Sequence, residues 1–205
     1  MTAPTAASRP YHHGDLRHAL VSAATDLAAG GGAEGVVVRE AARRVGVSPS
    51  AAYRHFPNRD GLLAHVGSEA RETLARRMID AIAALPAEPP SSAVARFRAT
   101  GRAYFTFALD EPGLFEVAFR ACPPDLYVPD DPSPYAVLSD ALDALDADGQ
   151  LTVPRRGAEA LAWIAVHGAA VLVGDGLLPR SERDTIIEGT LEMVAGGLLS
   201  VPARA

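Results

Sequence analysis

Cysteine is nearly absent from this sequence: one residue, Cys122, in a chain of 205. A single thiol closes no internal disulfide, and the usage fits a reducing cytoplasm. No basic neighbour follows Cys122 to favour its thiolate, so it reads as a small buried thiol and not as a nucleophile. Lysine is missing altogether, and all 19 basic residues are arginine. With the abundant Ala and Gly, this suggests a GC-rich bacterial gene. No apolar run approaches the roughly 18 residues needed to cross a bilayer. The opening MTAPTAASRP lacks the apolar stretch of a secretory signal. The expectation is a cytoplasmic protein with no membrane partner.

Catalytic and metal sets are missing too. No Ser/His/Asp spacing and no phosphate-binding glycine loop occurs, so an enzyme is not expected. His12, His13 and His18 do not share a helical face, and no Cys or acid completes a metal site. Asp140, Asp143, Asp146 and Asp148 lack the Gly and Glu spacing of a calcium loop and read as a solvated flank. No cofactor is expected.

Hydrophobic residues make up 48% of the chain, enough for a core, and the net charge is −6. That charge is uneven. Residues 1–60 hold seven Arg against five acids, and the remainder holds twelve against twenty. Four of the six His also lie in the first 60 residues. A weakly basic head on an acidic body suits an element that meets nucleic acid joined to one that avoids it.

The head contains VREAARRVGVSPSAAYRHF, residues 38–56. Val38, Ala41, Ala42 and Val45 recur at helical spacing, which buries one face of a first short helix. Gly46 suits the left-handed residue that ends it. Ser48 can accept a bond from the free N–H groups of the next helix, and Pro49 fits that helix's first position. Ala52 and Phe56 then face inward. Ser50, Ala51, Arg54 and His55 point out, small near the start and basic further along. This is the punctuation of a helix–turn–helix, whose second helix enters a major groove where Arg pairs with guanine edges. An ordinary helical hairpin is the alternative reading.

The segment GVSPSAAYRHFPNRDGLL, residues 46–63, resembles the N-terminal signature of the TetR family of one-component repressors. Residues 11–24, YHHGDLRHALVSAA, also resemble that family, closest to the branch with a C-terminal Trp-His-Gly motif. Here the motif corresponds to Trp163, His167 and Gly168. The resemblance implies that Tyr53 and His55 meet phosphates, that Arg59 anchors the DNA backbone, and that Arg39, Ser50, Ala51 and Arg54 lie near base edges. Ser48, at the helix start, completes the DNA-facing set. Tyr53 has a competing role in the core. Val37 stands where the family usually has a capping Ser or Thr, and Val cannot cap.

The fold expected is all-α, with about nine helices: a three-helix helix–turn–helix domain plus a larger helical domain for ligand binding and dimerisation. An arm spans residues 1–12, with Arg9, His12 and His13 as possible phosphate contacts or a solvated tail. The DNA-binding domain spans 13–58, its first helix running from about Gly14 to the Gly30-Gly31-Gly32 run. The larger domain spans 59–205. It opens on a long helix to Leu85, with Arg71, Arg76 and Arg77 on a solvated face.

Phe97, Tyr104, Phe105, Phe115 and Phe119 cluster by spacing, as plain core or as core plus the wall of a ligand pocket. Trp163 and His167, four apart, share a helical face and are read as ligand contacts or as packing. Residues 122–134 form a Pro- and Asp-rich loop. The helix over 155–173 is apolar nearly all round and requires cover from a second chain. Together with the last helix, over 182–199, it would form a twofold four-helix bundle. The partners implied are a double-stranded DNA operator, a second copy of the chain and a small effector.

Overall fold

The computed structural model describes residues 13–86, 92–121 and 129–199, with side chains described from residue 16 onward. The expected arm over residues 1–12, Cys122 and most of the loop that follows it lie outside the described residues. Among the described residues nine α-helices form. They are α1 (His13–Gly35), α2 (Val38–Val45), α3 (Pro49–His55), α4 (Arg59–Ala83), α5 (Ala93–Asp110), α6 (Pro112–Phe119), α7 (Pro134–Ala147), α8 (Arg155–Gly174) and α9 (Arg183–Leu198). A 3-10 turn, Arg180–Glu182, precedes α9, and an isolated antiparallel bridge joins Leu151 to Leu199. The chain is all-α, a three-helix head followed by a larger helical body.

Helix α1 buries Leu20, Val21, Ala24 and Ala28 against the hairpin α2–α3 and against α4 and α6. It runs past its expected end. The backbone breaks at Gly32 (φ 58°, ψ −154°), and a further turn continues to Gly35. Glu116 of α6 holds this turn by accepting the Ala33 N–H at 3.2 Å. Asn58 caps α4 by accepting the Gly61 N–H, and Ser92 caps α5 by accepting the Ala95 N–H. Helix α4 is the long strut shared by the two parts, burying Leu62, Leu63 and Val66 at the head and Leu74 and Met78 in the body.

The structure corrects the reading of Arg71 as solvated. Arg71 is 6% exposed. Its Nε donates to Asp130 at 2.9 Å and its Nη1 donates to the Ala118 carbonyl at 3.1 Å. A buried charge is retained where it is paired, and this pair ties α4 to the end of α6 and to the segment before α7. Arg77 is half-buried, bonded to Glu111 and lying over the Phe107 ring at 5.2 Å. Arg76 alone of the three is exposed as expected, near Glu72.

A second correction concerns α8, which by length and composition alone is long and apolar enough to cross a bilayer. It packs one face, Ala158, Ala162, Val166, Ala170 and Val173, against α5, α7 and α9. Its opposite face is apolar and exposed: Leu161, Leu172 and Ile164, the last 67% exposed. Met193 of α9 is 66% exposed beside a run of exposed glycines, Gly189, Gly196 and Gly197.

Candidate nucleic-acid interface and ligand cleft

The hairpin is fixed by its backbone. Gly46 takes φ 78°, the left-handed region that a side chain disfavours, and its N–H turns back to the Arg43 carbonyl at 3.2 Å. The Val47 N–H closes on Ala42 at 3.0 Å. The Ser48 hydroxyl accepts the Ala51 N–H at 3.2 Å, and Pro49 opens α3. Ala52 and Phe56 are buried beneath it. Phe56 is gripped from both neighbours: the Arg17 guanidinium lies 5.1 Å from its ring centre, and the His65 ring meets it edge-on at 5.7 Å. Arg17 also reaches the His65 Nε2 at 2.7 Å, so α1, the end of α3 and α4 share one joint.

The outward face of α3 carries the expected set. Ser50, Tyr53 and Arg54 are exposed, and Ala51 and His55 are half-buried. Tyr53 is 39% exposed, so its ring is more surface than core. Arg39 of α2 is exposed beside them. Among the described residues neither Arg39 nor Arg54 has an ion-pair partner. Arg43 and Arg44 differ. Glu40 takes Arg43 at 2.7 Å and Arg44 at 3.6 Å, and the bond from Arg43 holds the Glu40 carboxyl below its ordinary value. Val37 precedes α2 with no side-chain cap, as its chemistry dictates.

Arg59 is turned to an internal task. Its Nε donates to the Val36 carbonyl at 3.0 Å, and its Nη2 donates to the Ala33 carbonyl. It thereby satisfies carbonyls at the end of α1 and fixes the start of α4 against it. No local pattern signals this, because the partners lie 23 and 26 residues away.

In the body, a narrow apolar cleft, about 30 Å³ inside and about 420 Å³ counted with its open mouth, takes walls from α4, α5, α7, α8 and α9. Of the expected ligand residues, Phe97, Tyr104 and Trp163 line it. Phe115, Phe119 and His167 stand behind Tyr104 and Trp163 in an aromatic box, with ring centres 5.2–6.3 Å apart. Phe105 is not part of either; it is buried on the far side of α5, where a polar groove opens toward Arg183 and Glu188. The cleft also uses Met78, Gly101, Leu138 and Leu191, which looked like ordinary core in the sequence. Inside the box, the Tyr104 hydroxyl meets the His167 Nδ1 at 2.7 Å. Burial pushes the Tyr104 phenol far above its ordinary range. Burial first, and the Arg120 charge second, hold His167 below its ordinary value.

Two family models match this architecture. Residues 20–66 match the bacterial regulatory proteins of the tetR family, and residues 97–194 match the tetracyclin repressor-like C-terminal domain. Together they span more than two thirds of the chain. The chain belongs to the TetR family. It is a transcription regulator of that family, with a DNA-binding N-terminal domain and a C-terminal domain of the ligand-binding type. A protein of unknown function from Rhodococcus sp. RHA1 is 26% identical, with a TM-score of 0.76 over 94% of this chain and 100% of that one. A TetR family transcription regulator from Marinobacter aquaeolei VT8 is 17% identical, with a TM-score of 0.62 over 91% and 96%. The transcriptional regulator FadR from Bacillus subtilis, solved in complex with stearoyl-CoA, is 16% identical, with a TM-score of 0.64 over 88% and 98%. The last two likenesses concern the fold alone. No curated protein matches the sequence.

Proposed function

We propose that this TetR-family regulator is a cytoplasmic homodimeric repressor, released from a near-palindromic operator when a small, partly apolar effector enters the cleft of the body. The observation that carries the reading is the outward face of α3. Ser50 and Ala51 allow close approach to base edges, Arg54 stands ready to pair with a guanine, and Tyr53 and His55 flank it for phosphate. The exposed apolar face of α8 and α9 supports the dimer, since it leaves Ile164 and Met193 in water in a single chain. Two heads related by a twofold axis would meet half-sites about 34 Å apart. Arg39, Ser48 and Arg54 remain in the proposed DNA-facing set. Arg59 acts by holding α4 to α1.

A physical route joins cleft and head. Tyr104 and Trp163 line the cleft and touch Phe119, and Tyr104 also meets Phe115. Phe115 and Phe119 belong to α6, which holds α1 through Glu116 and seats Gly113 so closely that a β-carbon there would lie 2.2 Å from the Ala28 carbonyl oxygen. An effector that favours one setting of α6 would therefore bias the head, in proportion to its difference in affinity for the two states. The Trp-His-Gly branch belongs to this reading, supported by Trp163 and His167 stacking in the same box.

The test is a fluorescence-anisotropy titration of purified protein against the DNA upstream of its own gene and against random duplexes, at two salt concentrations. Selective binding that weakens with salt is expected. An operator selected from random duplexes should show twofold symmetry. Failure of both to yield a preferred sequence would overturn the reading. Ile164→Glu should convert the dimer to monomer in sedimentation and abolish operator binding.

A further inference from the structure

The chemistry of the cleft wall restricts what can occupy it. This step rests on the reading of the cleft as the effector site. None of the side chains lining the cleft is charged. Two carry hydroxyls, and Trp163 carries the one side-chain N–H. The Thr100 Oγ1 donates to the Phe97 carbonyl at 2.7 Å. The Tyr104 hydroxyl is paired with the His167 Nδ1 at 2.7 Å, and burial keeps the phenol neutral. Both hydroxyls already have a partner inside the protein. The nearby guanidinium of Arg120 is bound to Asp175 at 2.8 Å and is not part of the wall.

We infer that the cleft takes an uncharged, largely apolar molecule such as a long-chain alcohol, and that it rejects carboxylates and ammonium ions. A carboxylate placed there loses its water and meets no cation, only the indole N–H of Trp163. An ammonium meets no carboxylate. Each is strongly disfavoured against a neutral molecule of equal length, whose chain the aromatic and aliphatic wall receives equally well. A hydroxyl can donate to the lone pairs of Thr100 or Tyr104 and loses little.

The space itself depends on Gly101. A β-carbon there would stand 2.5 Å from the Leu191 Cδ2, on the opposite wall. A larger side chain at this position would fill the cleft.

The protein carries its own reporter, because its one tryptophan, Trp163, lines the cleft. The experiment titrates full-length protein with octan-1-ol, octanoate and octylamine at pH 7, reading Trp163 emission and the thermal midpoint together. Octan-1-ol is expected to shift both at a concentration about thirtyfold below either ion. The response should vanish in Gly101→Leu and, should that variant not fold by circular dichroism, in Ala162→Leu, which fills the same space from α8. Octanoate or octylamine acting as well as the alcohol overturns the charge rule and leaves the cleft standing as a ligand site. If none of the three moves Trp163 while the same protein still selects an operator, the cleft is not a ligand site, and the effector half of the proposed function falls with the inference.

Discussion

The turn between α2 and α3 is held by bonds no longer in sequence than that from Val47 to Ala42, whereas the cleft draws its walls from five helices between Met78 and Val194. The head is a locally specified device whose reading helix is seated by a buried aromatic, Phe56, clasped by Arg17 and His65. The cleft has no anchor of that kind. Its lining residues are also the core of the body, so it has no local signature and is spread over many small contributions. A regulator so divided exposes its DNA reader to single changes and shields its sensor by redundancy.

The sharpest way to break this comparison is to remove the anchor. Phe56→Ala should cost about 3–5 kcal/mol, the usual range for a large buried aromatic. Operator binding should be lost, and amide protection in α1–α3 should collapse. If the two parts are separable, Trp163 emission should still report a folded body at denaturant concentrations that melt the head. A single shared transition by both probes would show instead that α1, packed on α4 and α6, makes head and body one cooperative unit.

Within the head, base reading and phosphate holding separate by substitution. Arg54→Ala should weaken operator binding by about 1–3 kcal/mol and relax preference at one base pair. His55→Ala should weaken all sequences about equally, because phosphate contacts carry no sequence information. Selections on random duplexes with each variant measure the difference. An unchanged consensus with Arg54→Ala would remove that residue from base reading.

The division also explains what was legible in the sequence. Gly46, Ser48 and Pro49 announce helix ends because their effect is confined to a few neighbouring residues. Nearly every helix limit could be read from such signals and from apolar spacing. The end of α1 could not, because Glu116, 83 residues away, supports the turn beyond Gly32. Arg71 misled for the same reason: an arginine reads as solvated unless its distant partner, here Asp130, is in view, and the α1-end carbonyls that Arg59 meets were equally out of local reach. Tyr104 and Trp163 stood out as aromatics, yet Gly101, Thr100 and Leu191 gave no signal, since a wall is defined by what lies across from it.

Caps give a smaller and opposed pair of effects. Ser48→Ala deletes the acceptor of the Ala51 N–H and should cost about 1 kcal/mol. Val37→Thr supplies a hydroxyl where α2 has none and should add about 0.5–1 kcal/mol, since Val37 already holds the extended backbone (φ −126°, ψ 121°) from which a cap works. Urea midpoints of the two variants should move in opposite directions. A neutral Val37→Thr would mean that water already satisfies the start of α2.

The smallest effect is a protonation at the anchor. His65 accepts no proton readily while the Arg17 guanidinium stands 2.7 Å from its Nε2; burial first and this charge second lower its pKa from the ordinary 6.5. His18 and Glu69, 3.9 Å apart, line the same groove. The unfolded chain therefore binds the proton at a higher pH than the folded one. Stability from neutral His65 is complete above about pH 6.5 and falls as the pH drops from there toward the lowered value. His167 is shifted in the same direction in the body. The carboxyls held low, among them Glu40 and Glu159, start from 4.5 and lose their contribution at more acid pH, so unfolding measured at pH 7 and pH 5 isolates the imidazoles. His65→Gln should flatten the loss seen by head amides, and His167→Gln the loss seen by Trp163. If His65→Gln loses as much head stability as the parent between those two pH values, the joint of Arg17, Phe56 and His65 tolerates the proton, and the clasp rests on Phe56 burial alone.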